Sequence, residues 1–241
     1  MKRRLKKSFN LMVGLALIFM TGLHLVYADT TQRVMTIPID PDLKAWKVKG
    51  PKLISKWEAG IAKINPDNPK KMIATTSNGT SLELVNKSKG SLDIFTRENV
   101  GDCTIELEVM VAKQANSGIY VMGQYEVQVK DSFGKDWFIG NDDMGGIIGT
   151  SKPITNAALE YGQWQRYVIE FKAPRFKNGK RSEPAEFVKV SLNGKIVQEH
   201  VQMNNGSTSG ALRNGEYAEG PLMLQGGLGA IAYRNIRILQ K

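Results

Sequence analysis

The chain has 241 residues, 41% of them hydrophobic and 8% aromatic, with 24 glycines, a composition that excludes a disordered or collagen-like protein. Its net charge of +10 hints at nucleic acid only until the N terminus is set apart: Lys2, Arg3, Arg4, Lys6 and Lys7 carry five positive charges with no acid nearby, leaving about +5 for the rest. The remaining basic residues are mixed with acids, without a Lys/Arg block or an RNA-binding aromatic motif, so no nucleic-acid partner is expected.

Residues 1–28 run from basic (MKRRLKKSFN) through apolar (LMVGLALIFMTGLHLV) to small residues ahead of Asp29, the order of an export signal. The apolar run approaches the roughly 17–25 residues that span a bilayer, which makes an uncleaved anchor the alternative. The cleavage pattern and the interruption at His24 favour removal, with the mature chain 29–241 exported to the periplasm or secreted and not inserted in a membrane.

Beyond the signal, short alternating runs are bounded by Gly, Pro, Asn and Asp, with almost no 3.6-residue period. The expected strands lie near residue 53, then at 81–85, 91–97, 103–112, around Gly123 on both sides, at 145–150, 163–174, 187–201, 220–226 and 230–239. Ten or eleven strands with regular turn signals predict an all-β protein, a two-sheet sandwich or barrel in one domain. Asn193-Gly194, between two alternating runs, predicts a tight hairpin. Residues 66–72 and 202–220 read as loops, and the length of the second marks it as functional or mobile.

The lone Cys103 leaves no intramolecular disulfide, no cysteine zinc site and no lipid-accepting cysteine; within DCTIELEV it reads as a buried strand residue. No nucleophile elbow, phosphate loop, dinucleotide fingerprint or histidine-rich metal motif occurs. His200, at a strand end, reads as a surface residue. Asp142 and Asp143 supply too few oxygens for calcium and read as a solvated loop.

The informative stretch is NSGIYVMGQYEVQVKDSFG, residues 116–134. Strand alternation puts Gln124, Glu126, Gln128 and Lys130 on one face and Tyr125, Val127 and Val129 on the other. Two amides flanking a carboxylate suit the hydroxyls of a sugar, and the carboxylate can serve as acid or base. Periodicity alone fits a water-facing sheet at least as well. A sugar site also needs flat apolar rings, for which Tyr120, Trp137, Trp164 and Tyr217 are available. Trp164 reads as core, while Trp137 and Phe138 read as an exposed pair.

Four stretches in sequence order, NSGIYVMGQYEVQVKDSFG, GQWQRYVIEFKAPRF, VSLNGKIVQEHV and GPLMLQGGLGAIAYRNIRI, resemble the motifs of the 3-keto-disaccharide hydrolase domain family from about Leu92 to Leu239. The resemblance implies a concanavalin-like jelly-roll β-sandwich of two curved antiparallel sheets. It also implies cleavage of glycosidic bonds in sugars already oxidised at carbon 3, with a 3-keto-sugar or oligosaccharide as partner. The ketone acidifies the hydrogen at carbon 2, so a base can start an elimination. On this chain the resemblance points to Glu126 as the catalytic carboxylate, with Gln124, Gln128, Tyr120, Trp137 and Arg234 binding substrate. It leaves the cofactor unknown, a divalent metal being possible. Family members commonly carry an Asp-His pair where this chain has Gly227 and Leu228, and often a tyrosine where it has Ile148. A glycan-binding domain that has lost its chemistry is therefore the alternative.

Overall fold

The computed structural model describes residues 32–76, 81–135 and 138–241; the expected export signal and Trp137 lie outside them. Sixteen strands occur among the described residues. The first eight are β1 (Arg33–Thr36), β2 (Trp46–Val48), β3 (Trp57–Ile64), β4 (Met72–Thr75), β5 (Glu83–Asn86), β6 (Ile94–Val100), β7 (Cys103–Val111) and β8 (Asn116–Val121). The others are β9 (Tyr125–Lys130), β10 (Trp164–Lys172), β11 (Arg175–Lys177), β12 (Lys180–Glu183), β13 (Glu186–Leu192), β14 (Lys195–Gln202), β15 (Gly220–Leu224) and β16 (Ile231–Gln240).

Fourteen of the strands form the two antiparallel sheets of a jelly-roll sandwich, and β11 and β12 pair with each other as a separate two-stranded ribbon. The larger runs β14-β13-β10-β7-β16-β5-β3-β4, with β1 added beside β16; the smaller runs β2-β6-β15-β8-β9. Strand β10 shows why they stack. Tyr167, Ile169 and Phe171 alternate inward and are buried, while Arg166 and Lys172 point to water. The Phe171 ring lies 5.4 Å from that of Tyr125 on the smaller sheet and 5.1 Å from that of Phe187. Such pairs contribute about 0.5–1.5 kcal/mol each beyond the area they bury. Tyr167 donates to the Gln128 carbonyl (2.9 Å), and the Tyr233 and Ser117 hydroxyls share a bond of 2.8 Å, so both inter-sheet tyrosines satisfy their polar ends.

The hairpin at Asn193-Gly194 joins β13 to β14, with φ of 53° and 79° at the two turn residues. The long loop connects β14 to β15. Cys103 is buried at the start of β7, where desolvation raises its thiol to about 12.

Three expectations are corrected. Residues 145–150 form no strand: Ile147 makes isolated bridges to Val127 and Ser151, because left-handed backbone at Gly145 and Gly149 interrupts an extended run. Lys52–Ile54 form a 3-10 turn, leaving Leu53 fully exposed, and the strand begins only at Trp57. Residues 33–36, 46–48, 72–75, 175–177 and 180–183 are strands not foreseen, each of three or four residues, too short for alternation to show.

Candidate active site

The outward face of the smaller sheet carries two rows of side chains that cross its strands. In the first, Lys47 of β2 pairs with Phe95 of β6, Phe95 with Met223 of β15, Met223 with Tyr120 of β8, and Tyr120 with Glu126 of β9. In the second, the Lys49 amide donates to the Asp93 carbonyl, the Gln225 amide donates to the Gly118 carbonyl, and Gly118 pairs with Gln128. Strand alternation explains the rows, since Ile94, Ile119, Val127 and Leu224 all face the core instead.

Glu126 sits where the rows meet and is 4% exposed. Gly118 makes room for it, because a Cβ there would overlap the Glu126 carboxylate. Tyr120 Oη donates to Glu126 Oε2 at 2.8 Å and lies 3.0 Å from the Ser209 carbonyl, its second acceptor. Gln225 Nε2 reaches Tyr120 Oη at 3.4 Å, and Gln225 Oε1 is buried without a partner among the described residues. Burial pushes Glu126 up from 4.5 to about 7; the bond from Tyr120 opposes this and the nearby Asp93 charge adds to it. The Tyr120 hydroxyl is also held above its ordinary range, by desolvation first and then by the Glu126 charge.

The loop between β14 and β15 roofs this cluster. Thr208 Oγ1 accepts from the Glu126 amide (3.0 Å) and donates to the Gln124 carbonyl (3.1 Å), while the Tyr217 amide donates to Gln124 Oε1 (3.0 Å). Lys49 Nζ donates to the carbonyls of Gly210 (2.7 Å) and Ala211 (3.2 Å) and pairs with Asp93 at 3.4 Å. Residue 210 must be glycine, since a Cβ there would press on the Tyr120 hydroxyl.

The structure thus brings together Glu126 and Tyr120 and places Gln124 and Gln128 on either side of them. Gln124 is committed to the loop backbone, and Gln128 Nε2 to the Asp142 carbonyl (3.0 Å) and Asn116 Oδ1 (3.3 Å). Arg234 is elsewhere. It lies on the outward face of the larger sheet, pairs with Glu108 (2.7 Å) and Glu83 (3.2 Å), and covers the half-buried Trp164 ring, 4.0 Å from its centroid. Trp164 is half-buried and packs against the core, with Arg234 over its ring. Phe138 is exposed, as is Tyr217, whose ring lies 4.2 Å from the Arg213 guanidinium. His200 pairs at the surface with Glu186 (2.8 Å), and Asp142 and Asp143 bind Lys130 and Lys135, each at 2.7 Å.

Sequence reasoning missed Lys49, Asp93 and Gln225. The signal for Gln225 was a polar residue directly after the apolar strand GPLML; for Lys49 and Asp93 no local signal separates them from other surface residues. Gly227 and Leu228 lie in the loop joining β15 to β16, Leu228 exposed and Gly227 with space for a side chain.

A divalent metal does not fit these residues. Among the described residues no three His, Cys, Asp or Glu side chains converge. Glu126 and Asp93 are already bonded by Tyr120, by the Gly226 amide (3.1 Å) and by Lys49.

The structure is thus a jelly-roll sandwich with a buried carboxyl on the outward face of its smaller sheet. The model of the 3-keto-alpha-glucoside-1,2-lyase-like domain matches residues 40–239, and the chain belongs to that family. A candidate glycosyl hydrolase from Parabacteroides distasonis ATCC 8503 is similar in structure, with a TM-score of 0.63 and 25% identity over 88% of this chain and 84% of that one. A second candidate glycosyl hydrolase from the same organism has a TM-score of 0.55 and 17% identity over 83% of this chain and 89% of its own, a likeness of fold. No curated protein matches the chain.

Proposed function

We propose that the domain cleaves 3-keto-glycosides by elimination across carbons 1 and 2, followed by addition of water. The observation that carries this reading is Glu126, a carboxyl buried on the sheet face and held by Tyr120, which burial pushes up to about 7, within reach of neutral pH for taking a proton in one step and returning it in the next.

Glu126 removes the carbon-2 proton, which the carbon-3 ketone has acidified. The electron pair forms an enolate, whose oxygen accepts from Gln225 Nε2, a donor held only by the long 3.4 Å contact to Tyr120. Collapse of the enolate breaks the bond from carbon 1 to the glycosidic oxygen, leaving a carbon 1–carbon 2 double bond. The departing oxygen takes the Tyr120 hydroxyl proton, and the Tyr120 oxygen takes in turn the proton that Glu126 gained, across the 2.8 Å between them. Water then adds hydroxide at carbon 1 and a proton at carbon 2, giving the free 3-keto-sugar.

A glycan-binding domain without chemistry is the second reading, favoured by the roofing loop that leaves Glu126 only 4% exposed. Incubating the purified chain with 3-keto-disaccharides and following 3-keto-glucose by mass spectrometry separates the two. Release that vanishes in Glu126→Gln supports the enzyme; no release while the sugars still bind supports the binder. We further propose export of the mature chain, on the order of basic, apolar and small residues at its start; intact mass of the protein recovered from cells tests this, cleavage after residue 28 being the expected result.

A further inference from the structure

The loop that covers Glu126 is held at its base and at its tip by ties of different kinds. At the base the Arg181 guanidinium of β12 donates to the carbonyls of Met203 (3.2 Å) and Asn204 (2.7 Å) and to Glu216 Oε2 (2.8 Å), bracing both ends of the loop together. Glu216 also accepts from the Tyr125 hydroxyl (2.6 Å), and the buried Met203 donates its amide to the Ala185 carbonyl (2.8 Å). The base is therefore part of the packed sandwich.

The tip is not. Of residues 207–215 only Thr208 is buried, so little apolar area holds this segment down. Its ties are hydrogen bonds: the Thr208 and Leu212 amides donate to the carbonyls of Gln124 (2.9 Å) and Gly123 (2.7 Å), Thr208 Oγ1 accepts from the Glu126 amide, and the Lys49 ammonium donates to the Gly210 and Ala211 carbonyls. Such bonds are exchanged for bonds to water at small net cost, and a segment with few apolar contacts opens well below the stability of the whole domain. Gly206 and Gly215 flank it with φ of 84° and 83°, left-handed backbone suited to a change of direction. Between them the Ser209 carbonyl lies 3.0 Å from Tyr120 Oη, filling a place beside that hydroxyl which the departing glycosidic oxygen would need.

We infer that residues 207–215 are a lid, hinged at Gly206 and Gly215 and latched by Lys49, whose opening uncovers Tyr120 and Glu126 for the sugar while the Arg181 clamp keeps the base in place. This rests on the reading of Glu126 and Tyr120 as the reaction centre, but opening is measured without substrate. Native-state hydrogen exchange, followed by NMR, reads it from the Glu126, Thr208 and Leu212 amides, all bonded across the closed lid. The three should share one protection factor, about 100-fold or more below those of Met203 and of the amides between β8 and β9. Lys49→Met should lower that shared factor about tenfold and leave the others unchanged. Protection equal to that of the sheet, three unrelated values, or no response to Lys49→Met would overturn the lid. A reversible lock tests its role in admitting sugar. A Cβ at position 123 would lie 3.1 Å from the Leu212 Cβ, close to the roughly 3.5–4.5 Å that a disulfide spans, and the native Cys103 is buried out of reach. The oxidised Gly123→Cys, Leu212→Cys chain should lose calorimetric binding of 3-keto-disaccharide and recover it on reduction; an oxidised chain that binds as well as the reduced one would overturn the lid. Shared exchange in a chain that cleaves no 3-keto-disaccharide would remove the chemistry and leave the lid standing.

Discussion

Replacing Glu126 by Gln changes how stability depends on pH, by an amount the structure sets. Burial raises this carboxyl from 4.5 to about 7, so between those values the folded chain keeps a proton that the unfolded chain releases. Its contribution to stability is therefore fully present below about 4.5 and is lost as pH rises through 7. At 1.36 kcal/mol per pH unit, the shift corresponds to about 3 kcal/mol by pH 8. Gln is uncharged at every pH and keeps an oxygen to accept from Tyr120, so the variant lacks this loss. Urea unfolding of both chains from pH 4 to pH 8 measures the difference. The two should be nearly equal at pH 4, and the variant more stable by about 3 kcal/mol at pH 8. Ionisable groups far from the site are common to both chains and cancel in the comparison. Parallel curves would mean that Glu126 is solvated and ordinary, removing the ground for its role.

Other substitutions separate site from scaffold. Gly118→Ala forces the Glu126 carboxylate from its place; kcat/KM on 3-keto-disaccharide should fall about 100-fold, and stability by about 1–3 kcal/mol, as read by kinetics and denaturation. Gln225→Leu removes a buried carbonyl without a partner and the amide assigned to the enolate; kcat should fall about 10–100-fold while Tm holds or rises, and unchanged kcat would take Gln225 out of the mechanism. Arg234→Met leaves the buried Glu83 without its cation; stability should drop by about 2 kcal/mol, with kcat/KM within about twofold, and a large kinetic loss would return Arg234 to the site.

Much of this protein follows from local rules. The alternation in QYEVQVKD sends Tyr125, Val127 and Val129 inward and Glu126 outward, and Asn193-Gly194 makes its hairpin, because strand period and turn backbone depend on a few adjacent residues. The 4-residue and shorter edge strands were invisible for the converse reason, being too brief to alternate. Alternation also could not say which outward face a residue joins. Arg234 and Glu126 both point away from the core, yet they lie on opposite sheets.

The amino-acid sequence by itself determined an all-β sandwich and the side of its strand on which Glu126 stands. Only the tertiary structure decided that this side is covered rather than wet. A loop starting more than 70 residues later in the chain folds back over it, and Lys49, Asp93 and Gln225 arrive from three other segments. That covering is what pushes the Glu126 carboxyl up from 4.5 to about 7: desolvation depends on everything packed around a group, and no neighbour in the sequence reports it.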